Sequence, residues 1–170
     1  MVEPLIAHHR GRVVKLMGDG LLVEFQSVVD AVNCALAWQR SVAGTSWEPS
    51  LRFRIGINLG DVIIEDGDIY GDGVNVAARL QEIAEPGGLC LSGTVFEHIA
   101  GRVDVAVDYL GEQHLKNIAR PVGVYAAKFD RAKNASVARQ QKPLSQADRA
   151  SIAVLPFSNM SGDGEQEFFF

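Results

Sequence analysis

The chain has 170 residues, a formal net charge of −5 and 47% hydrophobic residues, which is the composition of a globular domain with an apolar core. The negative charge argues against a nucleic-acid partner, because nucleic-acid-binding proteins usually present a basic face. No apolar run reaches the roughly 20 residues that a membrane span requires, so we expect no membrane segment. The two cysteines, Cys34 and Cys90, are too few for a disulfide framework and are expected to be core residues of a cytoplasmic protein.

The first third of the chain predicts a short helix, a hairpin and a longer helix. Residues 4–9 predict the short helix. RVVKLM (12–17) and LLVEF (21–25) predict two strands joined by Gly18-Asp19-Gly20, where glycine supplies positive φ. Ser27, with Asp30 three residues later, has the capping-box pattern of a helix start, and apolar residues follow at helical spacing.

The elements continue to alternate up to residue 129. LRFRIGINLGDVIIE (51–65) predicts two strands broken near Gly60, and residues 74–83 predict a helix. GLCLSG (88–93) predicts a strand, residues 94–99 a short helix, and VDVAVDYL (103–110) with PVGVYAAKF (121–129) a last strand pair. This order of elements predicts an α+β fold with the helices on one face of the sheet.

The composition changes twice along the chain, which predicts three segments. Residues 1–129 form the periodic, apolar domain described above. Residues 130–149 are polar and charged, with no apolar pattern, and predict a linker. Residues 150–170 open with the apolar IAVLPF and are too few to bury a core of their own, so we expect the start of a second domain.

Several polar residues have positions that invite a functional reading. Strand alternation puts the Lys15 side chain on the same face as Val13 and Met17, which is unusual for lysine unless an anion or an acceptor meets it. Asn75 and Arg79 are four residues apart and share a helix face that is not the apolar one. The acidic, glycine-rich EDGDIYGDG (65–73) predicts a loop before that helix, whose N-terminus is a natural phosphate site. Each residue taken alone also fits an ordinary turn or surface position.

Four segments together resemble the class III adenylate and guanylate cyclase homology domain. They are KLMGDGLLVEF (15–25), FRIGINLGDVI (53–63), DIYGDGVNVAARLQEIAEPG (68–87) and LGEQHLKNIARPVGVY (110–125), in the family's order. The resemblance covers residues 1–128 and implies a ferredoxin-like βαββαβ sheet. Residues 151–170 are similar to the opening of the TolB-like region that often follows such a domain.

The resemblance implies an adenylate cyclase that converts ATP to 3′,5′-cyclic AMP and pyrophosphate in signal transduction. Asp19 corresponds to the second of two aspartates that hold a pair of Mg²⁺ or Mn²⁺ ions. Lys15 and Asp68 correspond to the positions that read the purine, and a lysine with an aspartate favours adenine. Asn75 corresponds to the residue that orients the ribose, Arg79 to the one that stabilises charge on the α-phosphate, and Lys116 to the one that holds the distal phosphates. Complete sites are expected at a homodimer interface, two per dimer.

The family's first metal aspartate has no counterpart before the Gly18-Asp19-Gly20 turn. It lies on a central strand that is followed by a helix, and the 170 residues begin within the end of that helix. We therefore expect unpaired strand edges, a tendency to aggregate and no activity from these residues alone. Asp61 and Asp72 are the nearest replacements for the absent carboxylate. The alternative function is a catalytically silent nucleotide-binding, dimerisation or regulatory module.

Overall fold

The computed structural model describes residues 2–18, 20–44, 52–65, 68–127 and 151–158, with the backbone alone for Met17, Glu65 and residues 151–158. The helices are α1 (Glu3–His8), α2 (Val28–Ala43), α3 (Asp72–Ile83) and α4 (Gly93–Ile99). The strands are β1 (Gly11–Met17), β2 (Gly20–Phe25), β3 (Arg52–Phe53), β4 (Ile55–Leu59), β5 (Ile63–Glu65), β6 (Asp68–Tyr70), β7 (Leu89–Ser92), β8 (Val107–Gln113), β9 (Val122–Ala127) and β10 (Ser151–Ser158).

Eight of these strands form one mixed sheet in the order β1-β2-β10-β4-β7-β9-β8, with β3 paired to β10. Strands β5 and β6 form a separate antiparallel hairpin that leads into α3. The pair β4–β7 is parallel, and the chain crosses from one to the other through α3. The predicted α+β architecture is therefore present.

The core lies on both faces of the sheet because side chains alternate along each strand. On the first face, Leu21, Val23 and Phe25 of β2 pack with Ile55 and Ile57 of β4 in one buried cluster that includes α2 and α4. On the second face, α3 covers the sheet, and two smaller clusters form there, around Leu22 with Ala77 and around Leu80 with Cys90 and Val124.

The helix α2 begins where its sequence predicts. The Ser27 hydroxyl accepts a hydrogen bond from the Asp30 backbone N–H at 3.4 Å, which satisfies one donor of the first turn. Its buried residues, Ala31, Val32 and Ala35 among them, face the sheet. Burial raises the pKa of Cys34 on this helix to about 12 and that of Cys90 to about 11, so both thiols are protonated core groups, as expected.

Two expectations about the elements were wrong. The segment between β5 and α3 was expected to be a loop, but it contains β6, which pairs with β5 from Asp68 to Tyr70. The helices were expected on one face, but α3 packs on the face opposite α2 and α4. Gly56 explains the close approach of α3, because the absence of a side chain lets the helix backbone lie directly against β4.

The expected gap in the sheet is filled. Strand β10 lies between β2 and β4 and pairs antiparallel with both. The expectation that the edges of β2 and β4 would be unpaired was therefore wrong. Residues 151–158 pair within this sheet, and the assignment of residues 150–170 to the start of a second domain stays a prediction. The predicted linker, residues 130–149, lies outside the described residues and stays a prediction.

A substitution at Gly56 tests the contact between α3 and β4. A Cβ at this position would overlap the Ala77 carbonyl oxygen and the Gln81 backbone nitrogen, which belong to helix backbone and cannot move aside alone. We expect Gly56→Ala to lower the free energy of unfolding by about 1–3 kcal/mol in chemical denaturation. The control is Gly44→Ala, whose Cβ would meet the Arg40 and Ser41 carbonyl oxygens at 3.6 and 3.8 Å, which are ordinary van der Waals contacts. Equal unfolding curves for the two variants would contradict the packing described.

Candidate functional site

A β-bulge in β1 decides where Lys15 points. The pairing with β2 joins Val13 to Val23 and then Lys15 to Leu22, so Val14 is an extra residue. Residues directly opposite each other in an antiparallel pair have side chains on the same face. Leu22 packs on the α3 face, so Lys15 lies on that face, whereas Val13 packs in the cluster on the α2 face. The expectation that Lys15 shares a face with Val13 was wrong, because the bulge resets the alternation.

Lys15 meets Asp68, the first residue of β6. Lys15 Nζ donates to Asp68 Oδ2 at 2.5 Å, and their side chains are 49% and 21% exposed. Asp68 also accepts from the Tyr70 hydroxyl at 3.1 Å and, through Oδ1, from the Ile69 backbone N–H at 2.9 Å. The two residues that the resemblance assigns to purine recognition are thus in direct contact, although 53 positions separate them in the chain.

Both groups of this pair are held in their charged forms. The hydrogen bond from Lys15 is the main cause that lowers the pKa of the Asp68 carboxyl, and the Ile69 N–H adds to it. The hydrogen bond to Asp68, together with its charge, raises the pKa of Lys15. Near neutral pH, Lys15 is therefore only a donor and Asp68 only an acceptor.

Helix α3 carries Asn75 and Arg79 on its outer face. Asn75 is exposed, and Arg79 forms an ion pair with Glu82, one turn further along the helix. Val76 and Leu80 on the inner face are buried, which confirms the predicted division of the helix. In the part of the chain that the structure describes, no hydrogen bond or ion pair joins Asn75 or Arg79 to the Lys15–Asp68 pair.

The start of α3 is fixed by a residue that the sequence reading missed. Asn58 of β4 is 6% exposed and donates from Nδ2 to the Gly73 carbonyl oxygen at 3.1 Å. Gly73 and Gly71 both lie close to the Asp61 carbonyl oxygen. A Cβ built on Gly73 would be 3.2 Å from that oxygen, and a Cβ built on Gly71 would be 3.3 Å from it. A polar residue among the apolar residues of IGINL was the available signal, since a buried amide needs a partner.

Lys116 lies on a loop that contacts the same face. Its neighbour Leu115 is buried in the cluster formed by Val76 and Leu80 of α3, while Lys116 itself is exposed. The described candidate residues therefore belong to the α3 side of the sheet, although the structure brings only Lys15 and Asp68 together.

The described residues do not form a metal centre by themselves. Asp19 lies outside them, and within the described ranges no group of three His, Cys, Asp or Glu side chains is arranged to hold a metal ion. Asp61 and Asp72, the replacements considered for the absent carboxylate, are exposed near the start of α3. Among the described helices, none is long and apolar enough to cross a membrane.

Comparison with known proteins decides the family. The sequence model of the "Adenylate and Guanylate cyclase catalytic domain" matches residues 2–128. The chain belongs to this family. A relative described as putative adenylate cyclase 3 of Rhizobium meliloti is 44% identical over 174 residues, which is 99% of this chain and 30% of the relative. An adenylate cyclase of Streptomyces coelicolor is 37% identical over 92 residues, covering 54% of this chain and 23% of the relative.

Solved structures share the fold of this cyclase domain. An adenylate/guanylate cyclase/hydrolase from Silicibacter pomeroyi matches with a TM-score of 0.71 and 42% identity over 76% of this chain and 79% of that one. Adenylate cyclases from Trypanosoma brucei in their monomeric state match with a TM-score of 0.67 at 23% identity, over 74% of each chain. The chain spans only about a third of the length of the Rhizobium relative, so these comparisons concern the cyclase domain.

A titration tests the Lys15–Asp68 contact. The pKa of Asp68 is lower in the folded protein than the ordinary aspartate pKa of 3.8. The pair's contribution to stability is therefore complete above pH 3.8, and it is lost as the pH falls through the lowered pKa of the folded state. At the alkaline end, it is lost as the pH rises through the raised pKa of Lys15. We expect the ¹³C signal of the Asp68 carboxyl to titrate below 3.8 and to move upward in Lys15→Met.

The matched control for this titration is Arg12→Met. Arg12 is also on β1 and pairs with Glu24 at 2.7 Å, so the substitution removes a similar exposed ion pair without touching Asp68. An Asp68 pKa that responds equally to both substitutions would show that the general charge of β1, and not the Lys15 contact, sets it. The stabilising effects of the Lys15–Asp68 and Arg12–Glu24 ion pairs should both weaken at high salt, because the pairs are partly exposed.

Proposed function

We propose that this cyclase domain uses ATP and forms 3′,5′-cyclic AMP and pyrophosphate in the cytoplasm. The observation that carries the proposal is the Lys15–Asp68 pair, a donor beside an ionised acceptor. Adenine presents an acceptor at N1 and a donor at its N6 amine, which complements this arrangement. The names of the Rhizobium and Streptomyces relatives agree with ATP as the substrate.

The pair retains the hydrogen-bonding capacity that recognition needs. The Asp68 carboxylate offers about four acceptor sites, of which Lys15, Tyr70 and the Ile69 N–H use three. Lys15 has three donor protons and gives one to Asp68. One acceptor site therefore stays open for the N6 amine, and Lys15 can donate to N1 without leaving Asp68.

The remaining candidate residues act on the sugar and the phosphates. Asn75 orients the ribose, and Arg79 stabilises the charge that builds on the α-phosphate when the 3′-oxygen bonds to phosphorus and pyrophosphate leaves. To reach a phosphate, Arg79 must leave Glu82, which is 56% exposed. Surface ion pairs contribute only about 0.2–1 kcal/mol, so this rearrangement is inexpensive. Lys116 holds the distal phosphates.

Two Mg²⁺ or Mn²⁺ ions would lower the pKa of the 3′-hydroxyl and neutralise the triphosphate. Asp19 is the residue of this chain assigned to them, and a second carboxylate is needed. The eight residues of β10, SIAVLPFS, include no Asp or Glu, although Pro156 is paired with Gly20 beside the turn. This observation favours the second candidate function for residues 1–170 alone, a catalytically silent nucleotide-binding or dimerisation module.

Exchange of the base-reading residues tests the substrate. The chain is extended N-terminally with the family's first strand and helix, and cyclic nucleotide formation is measured with ATP and GTP. We expect ATP to be preferred at least tenfold, and Lys15→Glu with Asp68→Cys to shift the preference toward GTP, because each mismatched edge leaves polar groups unpaired. The unextended 170-residue chain is the control, from which we expect no cyclic AMP above background.

Two results would contradict parts of this proposal separately. Equal turnover of ATP and GTP by the unsubstituted extended chain would remove the assignment of Lys15 and Asp68. Clear cyclic AMP formation by the 170-residue chain would remove the silent alternative and show that another carboxylate replaces the first aspartate, with Asp61→Ala and Asp72→Ala as the variants to examine.

The proposed site is shared between two copies of the chain, with Asp19 from one copy and the remaining groups from the other. We expect extended Asp19→Ala and extended Arg79→Ala to be inactive alone and to regain about a quarter of the unsubstituted activity after mixing. Random exchange makes half of the dimers mixed, and each mixed dimer has one intact site of two. Persistent inactivity in a mixture whose subunit exchange is proven by mass spectrometry would show that one chain builds the whole site.

A further inference from the structure

We infer that the cleft between β2 and β4 is an acceptor for an extended strand, and that residues 151–158 occupy it in the same chain as an exchangeable occupant. The strand β10 pairs antiparallel with β2 from Ser151–Phe25 to Pro156–Gly20 and with β4 from Ser151–Leu59 to Val154–Gly56. Within the described sheet, no other strand joins β2 to β4.

The walls of the cleft are apolar on both faces of the sheet. On one face lie Val23 and Ile57, both fully buried, in the cluster that includes α2. On the other face lies Leu22, 2% exposed, in the cluster that includes Ala77 of α3. Both α2 and α3 also lie against β10. Without an occupant, two rows of backbone hydrogen-bonding groups and this apolar surface would be open to water.

The occupant suits a position that is buried on both faces. Its residues Ile152 to Leu155 form a continuous apolar run, which is typical of a strand covered on both faces. Pro156 has no N–H to donate, and it falls where pairing with β4 has ended and pairing with β3 has not begun. The proline therefore removes no hydrogen bond on that side.

The chain connection does not force β10 into the cleft. Strand β9 ends at Ala127 and lies three positions away in the sheet, about 14 Å across. The intervening residues 128–150 could span up to about 75 Å at full extension, which is several times this distance, so chain length alone does not require β10 to occupy the cleft. The pairing itself holds the strand, and a competing strand of similar sequence can replace it.

The occupant also borders the proposed nucleotide site, which is a consequence that rests on the proposed function. Pro156 is paired with Gly20, the residue after Asp19. An occupant with a carboxylate at this end would supply a second metal ligand, and β10 has none.

A cut-and-exchange experiment tests the inference without measuring activity. A protease site is inserted between residues 140 and 141 of the 170-residue chain, and the folded protein is cut. We expect the two pieces to co-elute, and a fluorescent peptide of residues 146–160 to replace the tail at one peptide per chain, well below the unfolding midpoint. A peptide with Ala153→Pro should not enter, because proline removes ladder hydrogen bonds, whereas the control peptide with Ala147→Pro should enter.

Each other result overturns the inference. Separation of the tail with an unchanged unfolding midpoint would show that the sheet needs no strand there. Retention of the tail against excess peptide would show a fixed strand. Equal entry of the Ala153→Pro peptide would show non-specific binding. None of these results depends on nucleotide chemistry, so failure here leaves the proposed function standing and can be told apart from its failure.

A disulfide trap identifies which chain supplies the strand. In a Cys34→Ala, Cys90→Ala background, Val23→Cys with Ala153→Cys joins two residues that are directly paired. We expect an intrachain disulfide that runs as a monomer on a non-reducing gel, since paired Cα atoms lie within disulfide range. A covalent dimer would show donation by a second copy. The offset control is Leu22→Cys with Ala153→Cys, which are one position out of register, because Leu22 is paired with Val154.

Discussion

The antiparallel pairing of β10 with both β2 and β4 is the interaction that makes the sheet continuous. Remove it, and β1 and β2 have no described strand linking them to β4, β7, β9 and β8. The cluster on the α2 face would then be divided, because it includes residues from β2 and from β4. A strand at this central position is therefore needed for two reasons: it pairs the backbone groups of β2 and β4, and it covers the apolar surface between them. The apolar segment β10 does both.

Within that sheet, a single extra residue creates the contact between Lys15 and Asp68. The bulge at Val14 turns Lys15 to the α3 face, where Asp68 of the β5–β6 hairpin lies. A regular β1 would have pointed Lys15 to the α2 face, away from Asp68. The bulge interrupts regular pairing at one position of β1. Because β1 is the first strand in the order of the described sheet, this interruption affects its pairing with β2 only.

Two residues of β4 position the helix α3, one because it has no side chain and one because its side chain forms a hydrogen bond. Gly56 leaves room for the helix backbone, and two positions on, Asn58 holds the Gly73 carbonyl. The inner face of α3 is thereby fixed to the sheet, and its outer face, with Asn75 and Arg79, is left accessible. The separation of these two residues from the Lys15–Asp68 pair within one chain is consistent with a site that needs further groups, which is the reason for testing subunit complementation.

The sequence by itself determined the family, the order of most elements and the identity of the candidate residues. Periodicity placed α2 and the inner face of α3, and turn glycines placed the β1–β2 hairpin, because these signals are local. Only the tertiary structure decided the face of Lys15, since a bulge leaves no local signature in an apolar strand, and the short strand β6, since three residues carry too little periodicity. It alone decided that residues 151–158 join the first sheet. Strand pairing depends on open hydrogen-bonding edges and apolar surface contributed by distant segments, and a linear pattern does not reveal which edges are open.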